Sequence, residues 1–238
     1  MNDIKENIKI VRTNIAEAAA RSGRVESDVS LIGVSKTVDA VRVIEAANAG
    51  IEIFGENRVQ EAREKIAAVG GNVEWHMIGR LQKNKAKYIP ALFSMVHSVD
   101  GYDLAGSLDR SMEKFLTKGD EKRRPLEILI QVNISKEESK GGISEADSTE
   151  LIQRISILPN LKIKGLMTIP PAVMDKELSR PYFSRLRELR DRISALNIKN
   201  VEMKELSMGM SSDYEVAIEE GATMVRVGSS IFGHRNYK

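Results

Sequence analysis

The sequence predicts an α/β protein in which residues 1–238 form a single domain, a (β/α)8 barrel with an additional N-terminal helix. Eight short runs of apolar residues alternate with stretches of helical periodicity along the 238 residues. This alternation indicates a parallel sheet, and barrels of this type commonly take about 200 to 250 residues. A doubly wound open sheet shares the local pattern, but the count of eight strands favours the barrel.

Composition restricts the classes of function. The chain has 36 basic and 34 acidic residues, a formal charge of +2, which indicates neither a nucleic-acid binder nor an acidic tail. It has no cysteine, so disulfides and thiolate chemistry are excluded. The segment 1–21 is charged throughout and lacks the apolar run of a signal peptide or membrane span. We therefore expect a cytoplasmic protein.

The N-terminal segment predicts an amphipathic helix over residues 3–21 that precedes the first strand. Only residues 229–238 follow the eighth predicted strand, which is too short for a complete covering helix. We therefore expect the N-terminal helix to cover the barrel at that position. Its apolar residues recur at helical spacing: Ile4, Ile8, Val11, Ile15 and Ala18.

The predicted strands are short apolar runs bounded by glycine, proline and polar residues. The most loop-like segment, 118–125, joins two elements of the same alternating pattern, so it predicts a surface connection rather than a domain boundary. The predicted strands cover 31–34, 51–54, 73–78, 94–99, 126–134, 162–169, 202–206 and 223–227.

Helical spacing between the strands predicts the covering helices. Residues 81–88 predict a short basic helix, and apolar residues from Tyr182 to Leu196 at spacings of 4, 3, 4 and 3 predict a long one. Ser212 and Glu215 have the spacing of a capping box, which predicts a helix beginning there and ending near Glu220.

Lys36 lies at the turn between the first predicted strand and the helix that follows. In a (β/α)8 barrel the carboxyl ends of the strands open onto the active-site face, so this lysine would place its amine in the barrel mouth. An amine partly removed from water loses proton affinity and becomes a nucleophile toward a carbonyl. A solvated loop lysine would give the same local pattern, so this position alone leaves both interpretations open.

Two later loops are typical of a phosphate site. Residues 207–212 follow the seventh predicted strand and residues 228–230 follow the eighth. Small residues in these two loops let backbone N–H groups converge on an anion, as in many barrels. Both loops lie on the same face as Lys36. An amine opposite a phosphate site suggests pyridoxal phosphate, whose aldehyde and phosphate require both.

Arg226 is the remaining candidate residue from the pattern alone. It alternates with Val225 and Val227 in the last predicted strand and therefore points to the opposite side from them. A charge inside a barrel is costly without a partner, which favours a ligand contact at the mouth over a surface salt bridge. The ring nitrogen of pyridoxal phosphate needs such a partner.

Six ordered motifs span nearly the whole chain: Gly33–Thr37, Phe54–Arg58, Trp75–Lys85, Gly165–Ile169, Leu206–Ser211 and Val225–Gly233. This set resembles the YggS/PROSC family of pyridoxal phosphate homeostasis proteins. The resemblance implies the fold of the alanine racemase N-terminal barrel (fold type III). It also implies a carrier or regulator of the cofactor in vitamin B6 and amino-acid balance, rather than a conventional enzyme.

The resemblance assigns roles to individual residues. Lys36 would be the Schiff-base lysine, holding the cofactor as an internal aldimine, and Arg226 would face the ring nitrogen. The phosphate would be held by Ser211, Gly228 and Ser229. Motif positions near the cofactor, with roles less defined, are Asn57, His76, Ser207 and Met210.

Other functions remain open at this point. An amino-acid racemase would use the same aldimine, and a phosphosugar enzyme with a catalytic lysine would also explain the amine and the phosphate loops. Racemisation needs an acid or base on each face of the substrate. In the fold-related racemase a tyrosine from a second, C-terminal β-domain supplies one of them. This chain stops at Lys238, so we expect no efficient racemase activity.

Several residues and partners are assigned only in outline. The three histidines lack metal-ligand spacing, so we expect no metal; His97 and His234 have no predicted role. We expect a monomer without membrane or nucleic-acid binding, with pyridoxal phosphate-dependent apoenzymes as candidate partners. A basic patch predicts either a solvated helix face or an anion contact; it comprises Arg80, Lys83, Lys85 and Lys87.

Overall fold

A computed structural model describes residues 3–71, 73–117, 124–137 and 140–233. Residues 118–123 of the predicted surface loop lie outside the described residues, as does His234. In the ranges that are described, no helix is both long enough and apolar enough to cross a membrane.

Eight parallel strands of the described chain close into a barrel. Their order around the ring is β4-β3-β2-β1-β9-β8-β7-β5, and pairing of β4 with β5 closes it. The short β6 (Ile143–Ser144) pairs only with β5, outside the ring. The predicted (β/α)8 barrel is therefore confirmed. The barrel strands are β1 (Ser30–Val34), β2 (Ile53–Glu56), β3 (Glu74–Met77), β4 (Met95–Val99), β5 (Leu126–Asn133), β7 (Leu161–Met167), β8 (Val201–Met210) and β9 (Met224–Val227).

Helices surround the barrel, and side-chain caps begin several of them. The carboxylate of Asp39 accepts from Arg42 N, and the hydroxyl of Ser144 accepts from Asp147 N, each satisfying a first-turn N–H group. The helices are α1 (Ile4–Arg21), α2 (Ala40–Asn48), α3 (Val59–Val69), α4 (Ile89–Leu92), α5 (Tyr102–Leu116), α6 (Glu145–Ile155), α7 (Arg180–Ser194), α8 (Tyr214–Glu219) and α9 (Ser229–Phe232).

Helix α1 covers the barrel beside its last strand, as its position in the sequence predicts. It packs against α8 and α9. Asn14 Nδ2 donates to the Tyr214 hydroxyl at 2.9 Å, and Asn7 Nδ2 donates to Ile231 O at 2.9 Å. The five apolar residues that predicted the helix are all buried, since that face rests on the core.

Two local predictions need revision. The predicted short basic helix over 81–88 is a 3₁₀ helix over 83–88 that continues into α4. The N-cap of α8 is Asp213 instead of Ser212. The Asp213 carboxylate accepts no capping hydrogen bond from α8, because it accepts instead from Met210 N at 2.7 Å and from the Ser179 hydroxyl at 3.2 Å.

The barrel interior has an apolar layer and a polar layer. Polar residues lie two positions further along the same strands: His97 follows Met95 in β4, and Arg226 follows Met224 in β9. Because alternate residues share one face of a strand, these pairs point to the same side. The polar layer therefore lies toward the carboxyl ends of the strands. The apolar layer consists of Ile32, Met95, Leu129, Met167 and Met224.

Candidate cofactor site

The topology places the main predicted site residues after three adjacent strands. β1 pairs with β9, with Ile32 opposite Arg226, and β8 pairs with β9 on its other side. Lys36 lies two residues after β1, Ser211 one after β8, and Gly228 one after β9. Parallel strands end at the same edge, so these three residues share the carboxyl-end face of the barrel.

Lys36 is half-buried, and within the described residues it makes no hydrogen bond or ion pair. Its neighbour Ser35 is fully buried. Thr37, on the other side, has a φ of 61°, in the left-handed region. A non-glycine residue held there costs about 1–3 kcal/mol and needs surrounding contacts to keep it so. The amine is thus free, while the backbone that carries it is constrained.

Backbone N–H groups from the loop after β9 converge on a single oxygen. Gly228 N donates to the Ser211 hydroxyl oxygen at 3.1 Å, and Ser230 N approaches the same oxygen at 3.4 Å. The Ser230 hydroxyl in turn donates to Ser211 O at 3.4 Å. Gly228 is buried and Ser229 is exposed. The two loops that predicted a phosphate site are therefore in contact.

Gly209 allows the β8 loop to take this path. Its φ is 91°, which disfavours any residue with a side chain. A Cβ there would lie 2.6 Å from the Cβ of Ala217 and 2.9 Å from the Cα of Tyr214. The loop can therefore turn tightly against α8 only with glycine at this position.

Arg226 lies inside the barrel, with 4% of its surface exposed. Its Nη1 donates to the Ser207 hydroxyl at 2.6 Å and its Nη2 donates to Thr168 O at 2.9 Å. Burial lowers the pKa of the guanidinium to about 10, and Asp213 opposes that shift. Arg226 is therefore still protonated at neutral pH. The alternative of a surface salt-bridging arginine is wrong.

Arg226 begins a chain of hydrogen bonds across the barrel. An arginine can only donate, so the Ser207 hydroxyl accepts from it and donates its own proton to His97 Nδ1 at 2.9 Å. His97 then carries its proton on Nε2 and donates to His76 Nδ1 at 3.0 Å. We infer both tautomers from this direction, since the protonated nitrogen of His76 is then Nε2. That atom lies 3.7 Å from Glu74 Oε2.

The two histidines differ in their surroundings. Burial, together with the nearby His76 and Arg226, holds the pKa of His97 well below its ordinary 6.5. His97 is therefore neutral at neutral pH, as the hydrogen-bond chain requires. Glu74, at the start of β3, has 66% of its side chain exposed. The contact with His76 lowers the pKa of this carboxylate. The chain of hydrogen bonds thus runs from the buried guanidinium of Arg226 toward the solvated carboxylate of Glu74.

Asn57 and Met210 lie at the edge of this arrangement. Asn57 is half-buried after β2 and donates its N–H to Glu56 Oε2 at 3.3 Å. A Cβ on Gly79 would lie 2.6 Å from the Cα of Asn57, so the loops after β2 and β3 touch closely. Met210 is half-buried at the end of β8, held by Asp213. Neither side chain joins the hydrogen bonds around Arg226.

Sequence reasoning assigned no role to His97, although it links Ser207 to His76. One signal was present: His97 is two residues from Met95 in a strand, so both side chains point to one side. A polar residue in register with a buried methionine indicates an interior polar contact. Its partners could not be identified, because Ser207 lies 110 residues away along the chain.

The basic patch follows β3, a strand that pairs with none of the three strands whose ends carry Lys36, Ser211 and Gly228. Lys83 pairs with Asp103, and Lys87 lies 5.0 Å from the centre of the Tyr88 ring. Both lysines line a groove of about 400 Å³ between the 3₁₀ helix and α5, which also presents Arg110 and Lys114. Across the described ranges, no cluster of histidine and carboxylate side chains could hold a metal ion.

Comparison with known proteins identifies the family to which the chain is similar. Residues 7–236 match the family model described as alanine racemase, N-terminal domain. A pyridoxal phosphate homeostasis protein from Aquifex aeolicus is 44% identical over 98% of both chains. The structure of PipY from Synechococcus elongatus with PLP bound is 36% identical and has a TM-score of 0.78, covering 92% of this chain and 100% of PipY.

A more distant structure shows the fold alone. An alanine racemase from Clostridium difficile is 17% identical with a TM-score of 0.73; the match covers all of this chain but 58% of the racemase. The full-length match to the Aquifex aeolicus protein is much closer. The chain therefore belongs to the alanine racemase N-terminal domain family and, within it, to the pyridoxal phosphate homeostasis proteins.

Proposed function

We propose that residues 1–238 form one pyridoxal phosphate-binding domain that holds the cofactor as a Schiff base on Lys36 and serves cofactor homeostasis and amino-acid balance inside the cell. The observation that carries the proposal is a free amine on the same barrel face as converging backbone N–H groups. The names of the relatives and the PLP-bound PipY structure support it.

The residues present fit the chemical groups of this cofactor. Pyridoxal phosphate supplies an aldehyde, a phosphate and a pyridine nitrogen. The Lys36 amine would bond the aldehyde carbon with loss of water. Ser211, Gly228 and Ser229 would hold the phosphate, because the first two already show N–H and hydroxyl groups at hydrogen-bond spacing.

Arg226 would face the ring nitrogen. Ser207 and Thr168 O fix its guanidinium, and it stays charged at neutral pH. A guanidinium keeps its proton and so leaves the ring nitrogen unprotonated, which weakens electron withdrawal from a bound amino acid. Such a site suits holding the cofactor better than carbanion chemistry. His76 would act through His97 and Ser207, while Asn57 and Met210 would border the cofactor.

Absorbance tests the proposal. The purified protein mixed with pyridoxal phosphate should show a visible Schiff-base band near neutral pH. Borohydride should remove that band and leave a permanent adduct, which peptide mass analysis would place on Lys36. Lys36→Ala should lose both signals at that position. The matched control is Lys204→Ala, at a lysine that is 73% exposed near the start of β8.

Each outcome has a clear meaning. A colourless mixture, or an adduct confined to other lysines in the unmodified protein, would remove Lys36 from its proposed role. Borohydride trapping of a phosphorylated sugar, with no binding of pyridoxal phosphate, would favour the phosphosugar enzyme. Transfer to an apoenzyme is the further step that homeostasis implies. Mixing the holoprotein with a cofactor-free pyridoxal phosphate enzyme should restore that enzyme's activity.

A further inference from the structure

A buried ion cluster, formed by Glu56 and Lys65 together with Glu61, whose side chain is 25% exposed, lies directly behind the Lys36 turn. Lys65, on α3, has 5% of its surface exposed. Its ammonium donates to Glu56 Oε1 at 2.6 Å, to Glu61 Oε1 at 2.6 Å and to Ser35 O at 2.5 Å. An ammonium has three protons, so every donor of Lys65 has an acceptor.

The cluster is attached to the residues on both sides of Lys36. On one side, Ser35 accepts from Lys65 through its carbonyl and donates its hydroxyl to Glu56 Oε1 at 2.7 Å. On the other side, Thr37 N donates to Glu61 Oε1. Thr37 is the residue held in the left-handed region. The backbone at Lys36 is therefore fixed from both ends by the same three side chains.

The cluster lies on the side of the barrel wall that faces α3, and this position affects the direction in which Lys36 points. Glu56 belongs to β2 and Lys65 to the covering helix α3, and both bind Ser35. Successive side chains in extended chain point to opposite sides. Holding the Ser35 side chain outward, toward α3, therefore directs Lys36 toward the barrel mouth. None of the three charged side chains needs to touch the cofactor to have this effect.

General stability is a poor explanation for such a cluster. Buried ion pairs cost desolvation that their attraction often only offsets, and apolar residues of similar size commonly serve as well. The cost is visible at Glu56, where burial raises the pKa of the carboxyl despite its bonds from Lys65 and Ser35. What apolar residues could not supply is the set of directional bonds to Ser35 and Thr37.

We propose that the buried ion cluster of Glu56, Glu61 and Lys65 is a positioning device that presets the backbone of Lys36 for bonding an aldehyde. This inference rests on the proposed function of Lys36. Glu61, Lys65 and Glu56 are positioning residues, acting through Thr37 and Ser35. Losing them should leave the Lys36 amine present but misplaced.

The first test uses the cofactor-free protein. Amide hydrogen exchange at Thr37 is compared in Glu61→Gln, which keeps an acceptor oxygen, and Glu61→Leu, which does not. Thr37 exchange should be at least about tenfold faster in Glu61→Leu and close to that of the unmodified protein in Glu61→Gln. Unchanged exchange at Thr37 in Glu61→Leu would overturn the inference. This readout involves neither cofactor nor activity.

The second test measures how fast Lys36 bonds the aldehyde. After rapid mixing with pyridoxal phosphate, the visible band should appear on the order of tenfold or more slowly in Glu61→Leu. It should keep nearly its normal rate in Glu61→Gln. Binding of pyridoxine phosphate, which has no aldehyde, should be unchanged in both. The control is Lys164→Met, since Lys164 is also partly buried between carboxylates, Glu127 and Glu202, away from Lys36.

The outcomes separate this inference from the function on which it rests. If the unmodified protein forms no band, the proposed function fails. If it forms the band and Glu61→Leu forms it equally fast, only the positioning role fails. The double variant Glu56→Gln with Lys65→Met removes both buried charges together. It should fold and still bond the aldehyde slowly; normal bonding in that variant would equally refute the inference.

Discussion

Arg226 donates a hydrogen bond of 2.6 Å to the Ser207 hydroxyl, and this bond directs every proton in the chain that follows. Because the guanidinium cannot accept, Ser207 must donate to His97, and His97 must donate to His76. The proposed partner of the cofactor's ring nitrogen is thus held by Ser207 on the neighbouring strand β8, which is linked in turn to His97 on β4, across the barrel. Its orientation depends on residues that need not touch a ligand.

Ser207→Ala should destabilise the protein by about 1–3 kcal/mol. The substitution leaves Arg226 Nη1 and His97 Nδ1 without the partner each now has, and both are buried. Urea unfolding would measure the loss. The control is Ser111→Ala, since in the described part of the chain the Ser111 hydroxyl donates only to Ser107 O, one turn back on α5. That change should stay within about 0.5 kcal/mol. Equal effects of the two variants would contradict the hydrogen-bond chain.

Stability should fall as the pH drops below about 6.5, in part because of His97. The folded pKa of this group lies well below 6.5, so the unfolded chain binds its proton first on acidification. The stability that comes from holding His97 neutral is therefore fully present above pH 6.5. It is lost as the pH falls toward the lower pKa of the folded state. In that window the slope from this one group approaches about 1.4 kcal/mol per pH unit.

His97→Asn isolates that contribution. The variant should be less stable at pH 7, but its stability should decrease less steeply than that of the unmodified protein between pH 6.5 and 5. Unfolding free energies measured across this range give the difference directly. Parallel curves for the two proteins would show that burial of His97 is not what the pH dependence reports.

Gly228→Leu should weaken retention of the cofactor. We expect a bulky side chain at this position to crowd the loop in which the N–H groups of Gly228 and Ser230 converge, and a hydrogen bond to a charged oxygen contributes about 1.5–3 kcal/mol. Cofactor remaining after dialysis should fall at least about tenfold. The control is Gly101→Leu, since a Cβ on Gly101 meets no atom within 4 Å. Equal retention by the two variants would count against the phosphate assignment.

The protein should not racemise amino acids at the rate of an ordinary enzyme. Racemisation needs an acid or base on each face of the substrate, and among the described tyrosines none is in the proposed site. Tyr214 is closest along the chain to Ser211, but its hydroxyl is bonded to Asn14 on α1. A single base, Lys36, would allow hydrogen exchange without efficient inversion.

Incubation of the holoprotein with L-alanine in deuterated water would test this expectation. Slow incorporation of deuterium at Cα, with little D-alanine, is the expected result. Formation of D-alanine on the order of 1 per second or faster would place the protein among ordinary enzymes. A free alanine racemase run in parallel fixes the detection limit for inversion.

The strands of this fold were predictable because both of their faces are buried. A strand covered by helices outside and packed inside reads as an almost continuous apolar run, as 126–134 does for β5. The order of strands and helices then determined which loops share a face. Lys36, Ser211 and Gly228 could be grouped from that order alone.

The contacts within the site were less predictable, since they join distant strands. Glu61 and Lys65 are four residues apart on α3, a spacing typical of exposed helix pairs, yet Lys65 is buried against Glu56 and Ser35. The prediction that α8 begins with a cap at Ser212 was wrong for a related reason. The Asp213 carboxylate accepts from Met210 N within the same loop and from the Ser179 hydroxyl, a tertiary contact that a local capping pattern does not contain.

The packing of α1 against α8 has a consequence for how the chain folds during synthesis. Arg21 and Asn14 bind Glu219 and Tyr214, partners 198 and 200 residues later. At about 5–20 residues per second, a ribosome would need roughly 10 to 40 s to deliver them. The apolar face of α1 is therefore synthesised long before α8, the helix against which it packs. Contacts of such long range form slowly, so we expect α1 to stay accessible to chaperones until α8 has been synthesised.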